Sequence, residues 1–179
     1  MTNVLWYALS VRQRFETVVV RNLSAKGYEV FLPTYISKRR WSDRTKLVEC
    51  ALFPGYLFCR LDVQERLPIL MTPGVQCIVS RGKIPEPIDQ SELNAVRLII
   101  ERAAVYEPHP YLTVGQKVQI KRGSLYGLTG VAIKIKDNCR LIISVNLLQR
   151  SVAVDIDRKW IEPISFADAR HSLPPAAAN

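Results

Sequence analysis

The side chains that could make or break bonds in this chain are few. It holds two histidines, His109 and His171, and four cysteines, Cys50, Cys59, Cys77 and Cys139. A nucleophile needs a base within hydrogen-bond reach. His109 stands in a proline-flanked break and His171 in a C-terminal stretch expected to be disordered, so neither is placed to serve one. No GxSxG, GxGxxG, HExxH or P-loop pattern occurs. Zinc needs ligands clustered at short spacing, and no CxxC pair exists. The cysteines read as buried free thiols of a reducing compartment. The chemistry expected is therefore binding, not catalysis, with no cofactor and no metal.

Two groups of residues suit binding. The first is Leu52-Phe53-Pro54-Gly55-Tyr56-Leu57-Phe58-Cys59-Arg60-Leu61. A strand alternates its faces. Leu57, Cys59 and Leu61 share a core-like face, and Tyr56, Phe58 and Arg60 share the other. That second face is either covered by a helix or left as an aromatic docking patch, and alternation leaves both readings open. The second group is the run Lys38 to Lys46, with five cations (Lys38, Arg39, Arg40, Arg44 and Lys46) and one aspartate, a net +4. Residues 1–107 carry fifteen Lys+Arg and eleven Asp+Glu, also +4, so this run accounts for that region's whole net charge. It reads either as a solvated loop or as a contact to DNA or RNA phosphates. Arg12 and Arg14 could add to it. The full chain carries +9, which suits a partner of nucleic acid or of a nucleic-acid machine.

The elements that must hold these groups can be read from periodicity. Trp6 to Val11 reads as a strand, Gln13 to Lys26 as a helix with Phe15, Val18, Val19 and Leu23 on one face, and Gly27 as its C-terminal cap. Glu29 to Ile36 reads as a strand, the basic run as a hairpin tip or loop, and Tyr56 to Leu61 as a strand. A short helix is expected over Val63 to Met71 and a strand over Val75 to Ser80. Asp89-Gln90-Ser91-Glu92 fits a capping box, with Leu93, Val96, Ile99, Ile100 and Ala103 as the buried stripe behind it. Glu107-Pro108-His109-Pro110 reads as a break. Beyond it, Val118 and Ile120, then Val131, Ile133 and Ile135, then Leu141 and Ile143, then Val152, Val154 and Ile156 alternate as short strands between turns. In some 55 residues these fit a small closed barrel. The organisation expected is an α+β domain over 1–106, a linker over 107–111, a small all-β domain over 112–165 and a disordered tail over 166–179. No apolar run reaches the ~20 residues of a membrane span, and Met1 to Leu9 lacks the pattern of a signal peptide, so the chain is expected in the cytoplasm.

Trp6-Tyr7-Ala8-Leu9, Phe53-Pro54-Gly55-Tyr56 and Thr72-Pro73-Gly74-Val75 together resemble the N-terminal domain of the NusG family of transcription elongation factors. Val114-Gly115-Gln116-Lys117-Val118 through Gly123, Gly127 and Gly130-Val131 resembles that family's KOW motif. The resemblance covers about residues 4–164. It implies a four-stranded antiparallel sheet with flanking helices, followed by a five-stranded SH3-like barrel. It implies docking on the clamp helices of the largest RNA polymerase subunit through Tyr7, Phe53, Pro54, Tyr56 and Phe58. Trp41-Ser42-Asp43-Arg44, Glu107 to Leu112 and Leu147 to Val154 are similar to the UpxY-type branch, which implies antitermination on selected long operons such as polysaccharide clusters. A general elongation factor, or a KOW module binding RNA or the ribosome, are the alternatives. In such relatives the first helix and neighbouring loops touch non-template DNA or a nascent RNA hairpin, and Arg12, Arg14, Lys38, Arg39, Arg40, Arg44 and Lys46 are the candidates here. The barrel loop at Leu147-Leu148 corresponds to the one offered to a ribosomal protein or to Rho, with Leu148 where a phenylalanine is usual. The resemblance implies a monomer.

Overall fold

The computed structural model describes residues 4–40, 45–103, 105–111, 115–135 and 138–164. The N-terminal half begins with strand β1 (Val4–Val11), helix α1 (Glu16–Ala25) and strands β2 (Glu29–Phe31), β3 (Thr34–Arg40), β4 (Thr45–Ala51) and β5 (Tyr56–Asp62). Helix α2 (Leu67–Leu70), strands β6 (Val75–Ile78), β7 (Ser80–Arg81) and β8 (Ile84–Pro85) and helix α3 (Gln90–Arg102) complete it. The main sheet has the order β2-β5-β1-β6, every neighbour antiparallel. This is the expected four-stranded sheet with flanking helices.

Alternation sorts the two faces. Tyr7, Leu9, Val11, Leu57, Cys59 and Leu61 pack with Val19 and Leu23 of α1 and Ile69 of α2. Trp6, Ala8, Phe53 and Phe58 belong with Leu93, Val96 and Ile99 of α3. Burying a large apolar side chain stabilises by about 1.5–3 kcal/mol. Covering both faces therefore wins over leaving an aromatic face in water. α1 starts at Glu16, later than its periodicity suggested, and Val18 is exposed while Val19 and Leu23 are fully buried. Gly27 has φ +86, as its capping place requires.

The strand expected over Glu29 to Ile36 divides at Pro33 into β2 and β3. β3 leaves the main sheet and pairs with β4 alone, giving a two-stranded ribbon. The basic run is thus mostly strand: Lys38 lies opposite Leu47, Arg39 opposite Lys46 and Arg40 opposite Thr45. Trp41, Ser42, Asp43 and Arg44, the middle of the expected hairpin tip or loop, lie outside the described residues.

Strands β9 (Tyr106–Pro110), β10 (Gln116–Ile120), β11 (Thr129–Ile135), β12 (Asn138–Val145), β13 (Arg150–Ile156) and β14 (Ile161–Pro163) form one antiparallel sheet in the order β14-β10-β11-β12-β13-β9. The C-terminal half is all β, as expected, but its described residues form six strands where the resemblance implies five. The extra one is the expected linker. Glu107-Pro108-His109-Pro110 is strand β9, with Pro108 opposite Val152 and Pro110 opposite Arg150. Prolines two apart fit an edge strand, because only alternate N–H groups face the neighbour. Arg140 bridges Glu107 and Asp155 and ties this edge down.

The expected faces hold for Val118, Ile120, Leu141, Ile143, Val152, Val154 and Ile156, all buried in the main cluster. β11 is offset by one residue from expectation. Ala132 faces Leu141, which faces Val154, and this rung points to the core. Val131, Ile142 and Ala153 form a rung on the other face, where Ile133 packs with them. Ile135 has backbone pairing with Asn138. The tail over 166–179 lies outside the described residues.

Candidate functional site: an aromatic corner beside a domain contact

Three turns meet at one corner of the N-terminal half. The Val11 N–H donates to the Gly55 carbonyl at 2.8 Å, and the Arg12 N–H to the Gly74 carbonyl at 2.8 Å. The Gly55 N–H donates to the Glu16 carboxylate at 2.9 Å, with Glu16 itself buried. A buried carboxylate without partners would be costly, so this bond fixes the Phe53–Tyr56 turn against the start of α1. Gly74 has φ +96, and a Cβ there would lie 2.8 Å from Val19 Cγ2, so only glycine fits.

The corner carries a ring cluster. Phe58 stacks on Phe31 at 6.0 Å between centroids and meets Phe53 edge-on at 6.2 Å. The Arg97 guanidinium of α3 lies 4.5 Å over the Trp6 ring and 5.1 Å over Phe31, within cation–π range. The expected open patch is therefore corrected in two ways. Phe58 is 0% exposed and Phe53 1% exposed, covered as part of the cluster that includes α3, while Pro54 is exposed and Tyr56 half-buried. Tyr7 lies on the opposite face: it is opposite Cys59 in the ladder, and burial raises its hydroxyl pKa. Trp6 is the β1 aromatic on the Phe58 face, a residue the sequence reasoning missed. The alternation of Trp6, Ala8 and Ser10 against Tyr7, Leu9 and Val11 was the signal that could have found it.

The cationic candidates divide by place. Arg12 lies 4.9 Å over the Phe15 ring, and Arg14 holds a left-handed φ of 68°, both at the corner. Lys38 and Lys46 are exposed on the ribbon, and Arg39 and Arg40 take their backbone places beside them. Leu148 is buried and Leu147 partly so, within the cluster that runs unbroken from Trp6 through α3 into the β half.

The two halves touch through polar bonds as well. The Asp89 carboxylate caps α3 by accepting from the Ser91 N–H at 2.8 Å and the Ser91 hydroxyl at 2.6 Å, and these bonds hold its pKa below the usual carboxylate range. Glu92 does not close the expected capping box. Its carboxylate instead accepts the Asn146 N–H at 3.1 Å and the Asn146 amide. Burial pushes the Glu92 pKa up against those two bonds. Asn146 also accepts the Tyr111 hydroxyl at 2.7 Å. Arg102 donates to the Ser124 carbonyl at 3.4 Å, Ser124 donates back to the Arg102 carbonyl at 3.3 Å, and Tyr106 donates to the Thr34 carbonyl at 2.8 Å.

Catalytic chemistry has little to work with here. Burial pushes the Cys59 thiol up to about 12, far from a reactive thiolate. His109 Nδ1 meets its own neighbour's carbonyl, that of Pro110, at 2.7 Å. Among the described residues no group of three His, Cys, Asp or Glu is placed to hold a metal. Among them also, no helix is long and apolar enough to cross a membrane.

A helix-flanked antiparallel sheet joined to an all-β domain defines the class of two-domain α+β and all-β proteins. The family model described as "Transcription termination factor nusG" matches residues 5–97, over half of the chain. The chain belongs to the NusG family, whose members are non-enzymatic transcription factors. It is similar to the "Transcription termination/antitermination protein NusG" of Helicobacter pylori, at 23% identity over 89% of this chain and 98% of that one. The same-named protein of Campylobacter jejuni is 25% identical over 92% of this chain and 99% of that one. A solved structure described as "Domain interaction in Thermotoga maritima NusG" matches at TM-score 0.58 and 20% identity, over 91% of this chain and 98% of that one. At that identity it speaks for the fold alone.

Proposed function

We propose that this chain seats on RNA polymerase through the Phe53–Tyr56 corner and promotes processive transcription, acting on selected long operons such as polysaccharide clusters. The observation that carries the reading is the corner itself. A turn pinned by the buried Glu16 carboxylate holds Pro54 and Tyr56 at the surface, on a footing of packed rings. Such a rigid aromatic anchor suits docking, because little side-chain freedom is lost on binding. Pro54 and Tyr56 are the reachable atoms of the patch. Phe53 and Phe58 are its support. Tyr7 supports it from the other face of the sheet. The clamp helices of the largest polymerase subunit are the partner the family resemblance implies.

No bond need be made or broken. A factor spanning two states of the polymerase shifts their ratio only by its differential affinity for them. A difference of about 1.4 kcal/mol changes that ratio tenfold. Arg12 and Arg14 at the corner, Lys38, Arg39, Arg40 and Lys46 on the ribbon, and Arg44 are offered to non-template DNA or nascent RNA. A ribosomal protein or Rho is the partner offered to Leu147 and Leu148. Because Leu148 is buried and the neighbouring Asn146 is held by Glu92, that partner requires the turn to leave α3. The setting is the cytoplasm, and the working form a monomer.

Co-purification with RNA polymerase tests the anchor. Tyr56→Ala is expected to lower polymerase capture at least tenfold while leaving the fold intact. Undiminished capture would overturn the assignment. Genome-wide occupancy tests the selectivity, and uniform occupancy of most transcription units would sink it.

A further inference from the structure

One strained residue carries a side chain that the fold does not use. Among the described residues, two that are not glycine take a left-handed φ, Gln149 at 51° and Arg14 at 68°. Gln149 is compensated on the spot. Its side-chain amide donates to the Asn146 carbonyl at 2.9 Å, and its N–H reaches the same oxygen at 3.2 Å. Arg14 has no such return. Its side chain is exposed, and among the described residues its guanidinium makes no hydrogen bond or ion pair. The backbone around it holds the strain in place. The Phe15 N–H donates to the Arg12 carbonyl at 3.0 Å, which closes a four-residue turn with Arg14 in its third place. A left-handed third place favours glycine, because a Cβ there crowds the backbone. The turn cannot relax, since it is wedged between two others. Gln13 Cγ stands 3.8 Å from where a Cβ on Gly55 would lie, and Phe15 Cβ 3.4 Å from where one on Gly74 would lie. Arg14 thus stands between the Pro54 and Pro73 turns, and both prolines are exposed. Strain that the surroundings over-determine marks a site in use.

We propose that Arg14 is the orienting contact of the docking corner: its guanidinium pairs with a carboxylate on the polymerase surface that seats on Pro54 and Tyr56. Resting on the polymerase reading, this gives Arg14 a protein partner in place of a nucleic acid. A guanidinium meets one carboxylate through two parallel bonds, so a single well-placed arginine is enough. A nucleic-acid backbone is tracked by a groove of several cations. At the corner the Arg12 guanidinium lies on the Phe15 ring, which leaves one open guanidinium and no row. Lys38 and Lys46 belong to another element, the ribbon. Beside Pro54 and the Tyr56 ring, the pair loses water when the partner seats, and a charge pair in that position fixes register and orientation. The left-handed turn gives the arginine a fixed starting point, so less freedom is lost on binding.

Binding of the full chain to core polymerase freed of nucleic acid, measured by biolayer interferometry across a salt series, tests this. Arg14→Gly is expected to weaken binding about tenfold, the worth of one charged hydrogen bond, and to flatten its salt dependence. The same variant relieves the turn. Its chemical-denaturation midpoint is therefore expected to stay at or above that of the unmodified chain, which separates a lost contact from a lost fold. Arg14→Asn, the other residue at ease in this conformation, is expected to behave like Arg14→Gly. Arg14→Lys keeps the charge without the fork and is expected to bind with intermediate strength. Arg12→Gln is expected to cost less than Arg14→Gly. The proposal is overturned if Arg14→Gly and Arg14→Asn bind the polymerase as tightly as the unmodified chain, or if their weaker binding keeps the full salt dependence. A loss seen only when DNA or RNA is present overturns it too, in favour of a nucleic-acid contact. Tyr56→Ala, run in parallel, keeps the two readings apart. Full binding by Tyr56→Ala sinks the polymerase seat. Weak binding by Tyr56→Ala with full binding by Arg14→Gly sinks the orienting contact alone.

Discussion

At the scale of the residue, the informative contrast is between Tyr56 and Phe58, two positions apart on one strand. Both point to the same face, yet Phe58 is sealed under its neighbours and Tyr56 is half-open. Their substitutions should therefore fail differently. Phe58→Ala leaves a cavity in a closed core and is expected to destabilise the fold by about 3–5 kcal/mol. Chemical denaturation measures this, and a loss under 1 kcal/mol would show the site open to solvent. Tyr56→Ala should change binding with little change in stability. Sequence alternation placed both side chains on one face but could not say which would be covered, because that depends on where α3 ends up. Tyr7 makes the same point from the other side. Its motif neighbours suggested a shared patch with Phe58, whereas adjacent residues on β1 must face opposite ways.

The element that decides most is α3. Its N-terminal signal was legible: Asp89 caps it through Ser91. Glu92 was read as the reciprocal half of the cap, and it bonds Asn146 instead. A local motif names donors and acceptors that are near in sequence, and a tertiary partner can outcompete them. Asp89→Ala is expected to cost about 0.5–2 kcal/mol. The pH dependence has a definite sign. The folded pKa of Asp89 is lowered, so its contribution is present above the ordinary aspartate range and is lost as pH falls through the lowered value. The stability gap between parent and variant should accordingly close in acid. A gap that persists unchanged below that range would show that the cap does not act through the carboxylate. The ribbon of β3 and β4 was half-legible. Pro33 marks where β3 departs, but only pairing shows that the basic run is mostly strand.

At the scale of the whole molecule, the contact between halves is the new fact. Asn146 gives its N–H and its amide to Glu92 and takes the Tyr111 hydroxyl. Asn146→Ala removes the side-chain amide from Glu92 and the acceptor of Tyr111, leaving only the backbone N–H on the half-buried carboxylate, at a cost of about 1–3 kcal/mol. The halves are expected to separate in a measurable fraction of molecules. Small-angle scattering should show a larger radius of gyration, and amide exchange near Leu148 should quicken. An unchanged radius and unchanged exchange would mean that the apolar cluster alone holds the halves together. Glu92 adds a pH trend of its own. Its pKa is raised by burial, so its contribution is present below the ordinary glutamate range and is lost as pH rises through the raised value.

The sequence by itself determined the helices and most strands of the main sheet, the two faces of β5, the glycine cap after α1, and the resemblance to the family. All of these rest on short-range rules: period two, period 3.6, caps and turns. The tertiary structure alone decided that the aromatic face of β5 lies covered, that the proline-rich linker is an edge strand, that β11 faces its core with Ala132, and that Glu92 reaches Asn146. Each of these depends on pairing and packing between residues far apart in the chain. Burial and hydrogen-bond satisfaction, not local pattern, chose among the alternatives that periodicity had left equal.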